Sequence, residues 1–114
     1  MSEKNQISWG DFSKIEMRIG TIVSAEIFKK AKKPAYKIIV DFGQFGTRKT
    51  SAQITKLYEP EDIIGKKVSL LLNLAPRKIR GIESQGMILM AEDAEEKLEF
   101  VSPAADIETG ATIR

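Results

Sequence analysis

A chain without a single histidine or cysteine has lost most of the usual catalytic and metal-binding vocabulary. No Ser–His or Cys–His nucleophile can be assembled, and no zinc site with nitrogen or sulfur ligands. A phosphate-cradling G-x-x-x-x-G-K-[ST] loop is absent too. The 16 carboxylates are scattered, which gives acid–base catalysis no evident seat. The residues whose spacing does suggest chemistry are cations and one glycine-punctuated run. Lys29-Lys30-Ala31-Lys32-Lys33-Pro34, Arg48-Lys49 and Pro76-Arg77-Lys78-Ile79-Arg80-Gly81 are basic clusters, and Ile79 to Ala91 reads IRGIESQGMILMA. Arg80 precedes the first of two glycines there, Glu, Ser and Gln sit between them, and five apolar residues follow directly. A cation at such a place contacts phosphate, a Ser hydroxyl bonds phosphate or ribose, and Met offers a base a soft apolar surface.

Net charge supports a polyanionic partner once its distribution is read. The total is only +2, but Met1 to Arg80 carries 16 Lys and Arg against 8 Asp and Glu, and Gly81 to Arg114 carries 2 against 8. The two parts, +8 and −6, suggest one basic surface and an acidic segment elsewhere. Hydrophobic residues at 42% and charged residues at 30% are an ordinary soluble balance. The longest apolar runs are too short to span a bilayer, and the opening residues lack an apolar signal core, so a cytoplasmic protein with no membrane partner is expected. No cofactor and no metal is expected.

The elements that must position these residues follow from periodicity. Ser8 caps a short helix start at Ser8-Trp9-Gly10-Asp11. Ile19, Thr21, Val23, Ala25 and Ile27 alternate with polar residues as the half-buried face of a first strand, with Gly20 near its start read as a bulge or sharp bend. Tyr36, Ile38, Val40 and Phe42 predict a second strand, and Arg48 to Thr55 an antiparallel return. Pro60 and Gly65 frame one helical turn. Val68, Leu70, Leu72 and Leu74 predict a fourth strand, and Met87 to Ala91 a fifth. Leu98 to Val101 and Ala111 to Ile113 predict two more, with an acidic hairpin at Glu92 to Glu96.

The expected fold is therefore all-β: a single domain over residues 1–114, built as a five-stranded Greek-key barrel of the oligonucleotide/oligosaccharide-binding type. It would carry a short N-terminal helix, a one-turn helix between strands three and four, and extra C-terminal strands. Such barrels bind ligands over strands two and three and between the loops joining strands one to two and four to five. Those are the places where the basic clusters fall. Lys29, Lys30, Lys32, Lys33, Lys37, Arg48, Lys49, Arg77, Lys78 and Arg80 are accordingly expected to contact phosphate. Phe28 and Phe45 border loops, where they could stack on bases.

Several motifs in order then carry a family resemblance. Tyr58-x-Pro60-Glu61-Asp62-Ile63-x-Gly65-Lys66, Asn73-Leu74-x-Pro76 and Gly81-x-Glu83-Ser84-x-Gly86-Met87 resemble the tRNA-binding domain family. Lys33-Pro34-Ala35-Tyr36-Lys37 and Ser51-Ala52-Gln53-Ile54-Thr55 resemble its CsaA branch, named for a secretion-associated chaperone. The resemblance implies a non-enzymatic tRNA-binding protein, usually a homodimer. It carries the tRNA contact over to Ser84 and Met87, with Gly86 letting the nucleic-acid backbone approach. The CsaA side implies an alternative, a chaperone holding unfolded preproteins or extended peptides at Ser51, Gln53 and Thr55. Trp9, Phe12, Leu98, Phe100, Val101 and Ile113 lie outside the minimal barrel and point independently to a homodimer built from the termini.

Overall fold

The computed structural model describes residues 4–28, 35–52, 59–79 and 82–114 of the chain. It opens with α1 (Trp9–Phe12), where the Ser8 hydroxyl accepts the Asp11 amide at 3.0 Å. The long strand β1 (Met17–Phe28) follows, and β2 (Ala35–Asp41) returns antiparallel to it. After a 3-10 turn at Gly43–Phe45, β3 (Thr47–Ala52) pairs with β2 along its length. The single turn α2 (Pro60–Ile63) has Pro at its start and a reciprocal cap between Glu59 and Asp62. Gly65 takes the chain out of it at φ +91°, where a side chain would be strained.

β4 (Lys67–Leu71) lies against the first half of β1. A hairpin of β5 (Arg77–Ile79) and β6 (Ile82–Ser84) comes next, and β7 (Met87–Ile88) joins β4. A second hairpin, β8 (Met90–Glu92) with β9 (Leu98–Phe100), holds the acidic turn, and β10 (Thr112–Ile113) closes on the start of β1. The main sheet runs β3-β2-β1-β4-β7. It curls until β3 meets the chain between β6 and β7, and the product is the nearly closed all-β barrel expected from the sequence. Among the described residues no helix is long and apolar enough to cross a membrane.

The core confirms one alternation and corrects another. Tyr36, Ile38, Val40 and Phe42 all point inward and are buried, together with Ile22, Ile63, Val68, Leu70, Ile88 and Phe100. In β1, however, the register shifts between Ile22 and Ser24, and a bulge reverses which residues face inward. Gly20 and Ile22 face the core before the shift and Ala25 after it, and Val23, at the shift itself, is 47% exposed. Gly20 is not the bulge. A Cβ there would lie 2.4 Å from Val40 Cγ1 and 2.7 Å from the Phe42 ring, so glycine is what lets the core close against the β1 backbone.

Strands four and five are also shorter than periodicity suggested. β4 ends at Leu71, because Asn73 turns away to tie down the segment after α1. Its side-chain oxygen accepts the Glu16 amide at 2.8 Å, and its amide group donates to the Lys14 carbonyl. The expected strand from Met87 to Ala91 is split between β7 and β8, with the Leu89 amide donating to Ser69 O and its carbonyl accepting Val101 N. Leu98 and Phe100 pack on the core rather than standing outside the barrel.

Candidate nucleic-acid interface

The run IRGIESQGMILMA is a hairpin arm followed by a seam. β5 and β6 place Arg77 opposite Ser84 and Lys78 opposite Glu83, so the carboxylate stands across from a cation. The expected basic loop before Gly81 is thus strand up to Ile79. Gln85 then closes the barrel. Its amide donates to the Lys49 carbonyl at 2.7 Å, and its side-chain oxygen accepts the Lys49 amide at 3.2 Å. The side chain substitutes for a strand partner where regular pairing stops.

Gly86 follows at φ +95°, and a Cβ on it would stand 2.6 Å from the Leu71 carbonyl oxygen. Its glycine is demanded by the barrel itself, whatever approaches from outside. Met87 is 48% exposed while Ile88 is buried, so consecutive residues serve surface and core.

These pieces enclose an open cleft of about 450 Å³ between β3 and the hairpin. Ser51, Arg77, Ser84, Gly86 and Met87, all anticipated from the sequence, line it together with Thr50, Leu74 and Ala75. Thr50 is 1% exposed, and its hydroxyl lies 3.2 Å from Ser84 Oγ and 3.3 Å from the Gly86 carbonyl. Leu74 is 46% exposed and supplies an apolar wall facing the same space.

None of the other described cation candidates lines this cleft. Lys37 is opposite Ser51 on the β2–β3 ladder, and Lys49 is opposite Ile39. Both alternate with the inward residues Ile38 and Thr50, which puts them on the outer face of the sheet. Arg48 shares the inward phase with Thr50, and its guanidinium donates to the Thr47 carbonyl at 3.1 Å. Lys78 is exposed on β5. Lys29, Lys30, Lys32, Lys33, Arg80, Gln53 and Thr55 lie outside the described residues. Phe45 has one ring face covered by the Arg18 guanidinium at 3.9 Å.

The sequence reading missed Thr50, Leu74, Ala75 and Gln85. Leu74 was legible in Asn73-Leu74-x-Pro76, yet alternation assigned it to strand four. Thr50 was hidden because a polar residue on an inward face is recognised only by its partners.

Two groups elsewhere have displaced ionisation. Burial, and then the carboxylates of Glu59, Glu61 and Asp62, raise the Tyr36 phenol. The Lys67 hydrogen bond and charge lower the Asp106 carboxyl. Among the described residues no group of His, Cys, Asp or Glu could hold a metal.

Comparison with known proteins agrees with this architecture. The family model described as "Putative tRNA binding domain" matches residues 17–112. A methionine–tRNA ligase of Flavobacterium johnsoniae is 50% identical over 111 residues, covering 97% of this chain but 15% of that protein. The chain therefore spans about one sixth of the length of the curated relatives it matches. The crystal structure of the chaperone CsaA from Bacillus anthracis superposes with a TM-score of 0.91 at 34% identity, covering 96% of this chain and all of that one. A MetRS-related protein from Pyrococcus horikoshii gives 0.87 at 33%, covering 97% and 100%.

Proposed function

The chain belongs to the tRNA-binding domain family, and from that premise we propose that it is a cytoplasmic, non-enzymatic tRNA-binding domain whose ligand enters the cleft of β3 and the hairpin. The observation that carries this reading is the meeting of Arg77, Ser84, Gly86 and Met87, four contact candidates, around one cleft. Lys37, Lys49 and Lys78 stand on neighbouring strands, where they supply sequence-independent attraction to phosphate. Arg77 at the cleft offers a bidentate grip, and half-exposed Met87 presents thioether to a base. Lys32, Lys33, Arg48 and Arg80 complete the proposed phosphate contacts.

A second reading has its own support. The structurally similar CsaA is a chaperone, and Ser51 lines the same cleft. Unfolded preproteins or extended peptides would then occupy the surface along Ser51, Gln53 and Thr55, with main-chain bonding to a strand.

Electrophoretic mobility shift with bulk tRNA, with an unfolded preprotein as competitor, tests both. The expected result is a tRNA complex below about 10 µM at low salt, where even non-specific affinity is visible. Ser84→Ala and Met87→Ala should each weaken it about fivefold, the value of one neutral hydrogen bond or partial base contact. Absence of both complexes defeats both readings. Unchanged affinity in the two variants moves the ligand away from the cleft.

A further inference from the structure

We propose that the cleft takes the edge of one unpaired nucleobase bearing an exocyclic amine, because its polar floor presents acceptors and keeps its own hydrogens inside. The inference rests on the tRNA reading and sharpens it. Three oxygens form that floor: Thr50 Oγ1, Ser84 Oγ and the Gly86 carbonyl, separated by 3.2 to 3.5 Å. They share two hydroxyl hydrogens, since the carbonyl contributes none. In one arrangement Thr50 donates to Gly86 and Ser84 donates to Thr50. In a second, Ser84 donates to Gly86 and Thr50 donates to Ser84, and in a third both donate to the two lone pairs of the Gly86 carbonyl. In each, both hydrogens stay within the trio and Ser84 Oγ keeps at least one lone pair.

Ser84 is also the hydroxyl that reaches the ligand, because Thr50 is 1% exposed. A phosphate oxygen, itself only an acceptor, would be met only if the Ser84 hydrogen turned outward and gave up its bond to Thr50 or to the Gly86 carbonyl. A donor needs no such rearrangement. The apolar walls, half-exposed Leu74 and Met87 with Ala75, suit the flat body of a base better than a hydroxylated ribose. Arg77, directly opposite Ser84 on the hairpin, is the group for the adjoining phosphate. Bases with a free edge occur in loops and ends, where RNA is unpaired.

The test uses labelled pentauridylates whose central residue is adenosine, purine riboside or 2′-deoxyadenosine, read by fluorescence anisotropy. Purine riboside removes the amine and leaves the ring. Adenosine should bind about fivefold tighter than purine riboside, as for one neutral hydrogen bond. The deoxy form should match adenosine, and Ser84→Ala with an unchanged melting temperature should bring the ratio to about one. Equal binding of adenosine and purine riboside to the unaltered protein overturns the inference. So does a loss on removing the 2′-hydroxyl instead of the amine, or binding of an unstructured peptide with no pentamer bound. A parallel shift with bulk tRNA separates the two levels. tRNA bound at a ratio of one removes only the amine contact, whereas no tRNA bound removes the proposed function with it.

Discussion

At the scale of single residues, glycine has two different duties. Gly20 adopts ordinary strand geometry and is small because Val40 and Phe42 occupy the space of its missing side chain. Gly86 combines φ +95° with the Leu71 carbonyl 2.6 Å from any Cβ, so substitution there meets backbone strain and a clash that no rotamer relieves. Gly86→Ala is expected to destabilise the fold by about 2 kcal/mol or more, measured by urea unfolding. A loss below about 0.5 kcal/mol would mean that the seam yields easily. The turn and the strand entrance in IRGIESQGMILMA were legible from its residue types. That Gln85 closes the barrel was not, because its partner, Lys49, lies 36 positions away.

At the scale of elements, the terminal segments are fastened by side chains that periodicity treats as mere surface. Arg18 donates to the Gly110 carbonyl at 2.8 Å and to Thr112 Oγ1 at 3.0 Å. Lys67 reaches Asp106 at 2.8 Å and also donates to the Ile107 carbonyl. Because hydrogen bonding and charge from Lys67 lower the Asp106 carboxyl below its ordinary 3.8, the latch stabilises the fold at pH values above that ordinary figure. It is lost as pH falls through the lowered native value. The carboxylate is almost wholly exposed, which keeps the effect small. Asp106→Asn should melt slightly below the unaltered protein near pH 7, and the gap should close in acid. A gap that persists at pH 2 would show that the carboxylate charge is not its source.

At the scale of the whole molecule, the proposed phosphate contacts predict salt-sensitive, weakly sequence-specific binding. About six to eight such contacts give a log–log slope of tRNA affinity against salt of about −4 to −7. A slope near zero would leave the lysines as ordinary solvated charge. The exposed apolar residues argue for self-association through the terminal segment: Ile7 is 65% and Trp9 90% exposed, Phe12 39%, and Val101 and Ile107 44% each. Contiguous exposed apolar surface marks interfaces in soluble proteins, and a homodimer is the expected outcome. Light scattering at micromolar concentration should report about twice 12.7 kDa, and Trp9→Ala should shift the mass toward the monomer. A value of 12.7 kDa for the unaltered protein defeats this expectation.

The sequence alone determined what is local or cumulative. Excluded chemistries follow from residue types, β2 from strict alternation, α2 from Pro60 and Gly65, and the barrel class from the order of strands and turns. The tertiary structure decided what depends on pairing across the chain. Alternation holds only while the register is unbroken, so the bulge after Ile22 reversed the faces of β1 and exposed Val23. Leu98 and Phe100 read as spare apolar surface until the β8–β9 hairpin folded them onto the core. The cleft is the clearest case, since its walls come from β3, the segment after β4, and the hairpin. Thr50 becomes part of a hydrogen-bonded floor only when a closing sheet brings Ser84 and Gly86 beside it. Hydrogen bonds reach about 3 Å, and no spacing along a chain encodes which distant residues will come that near.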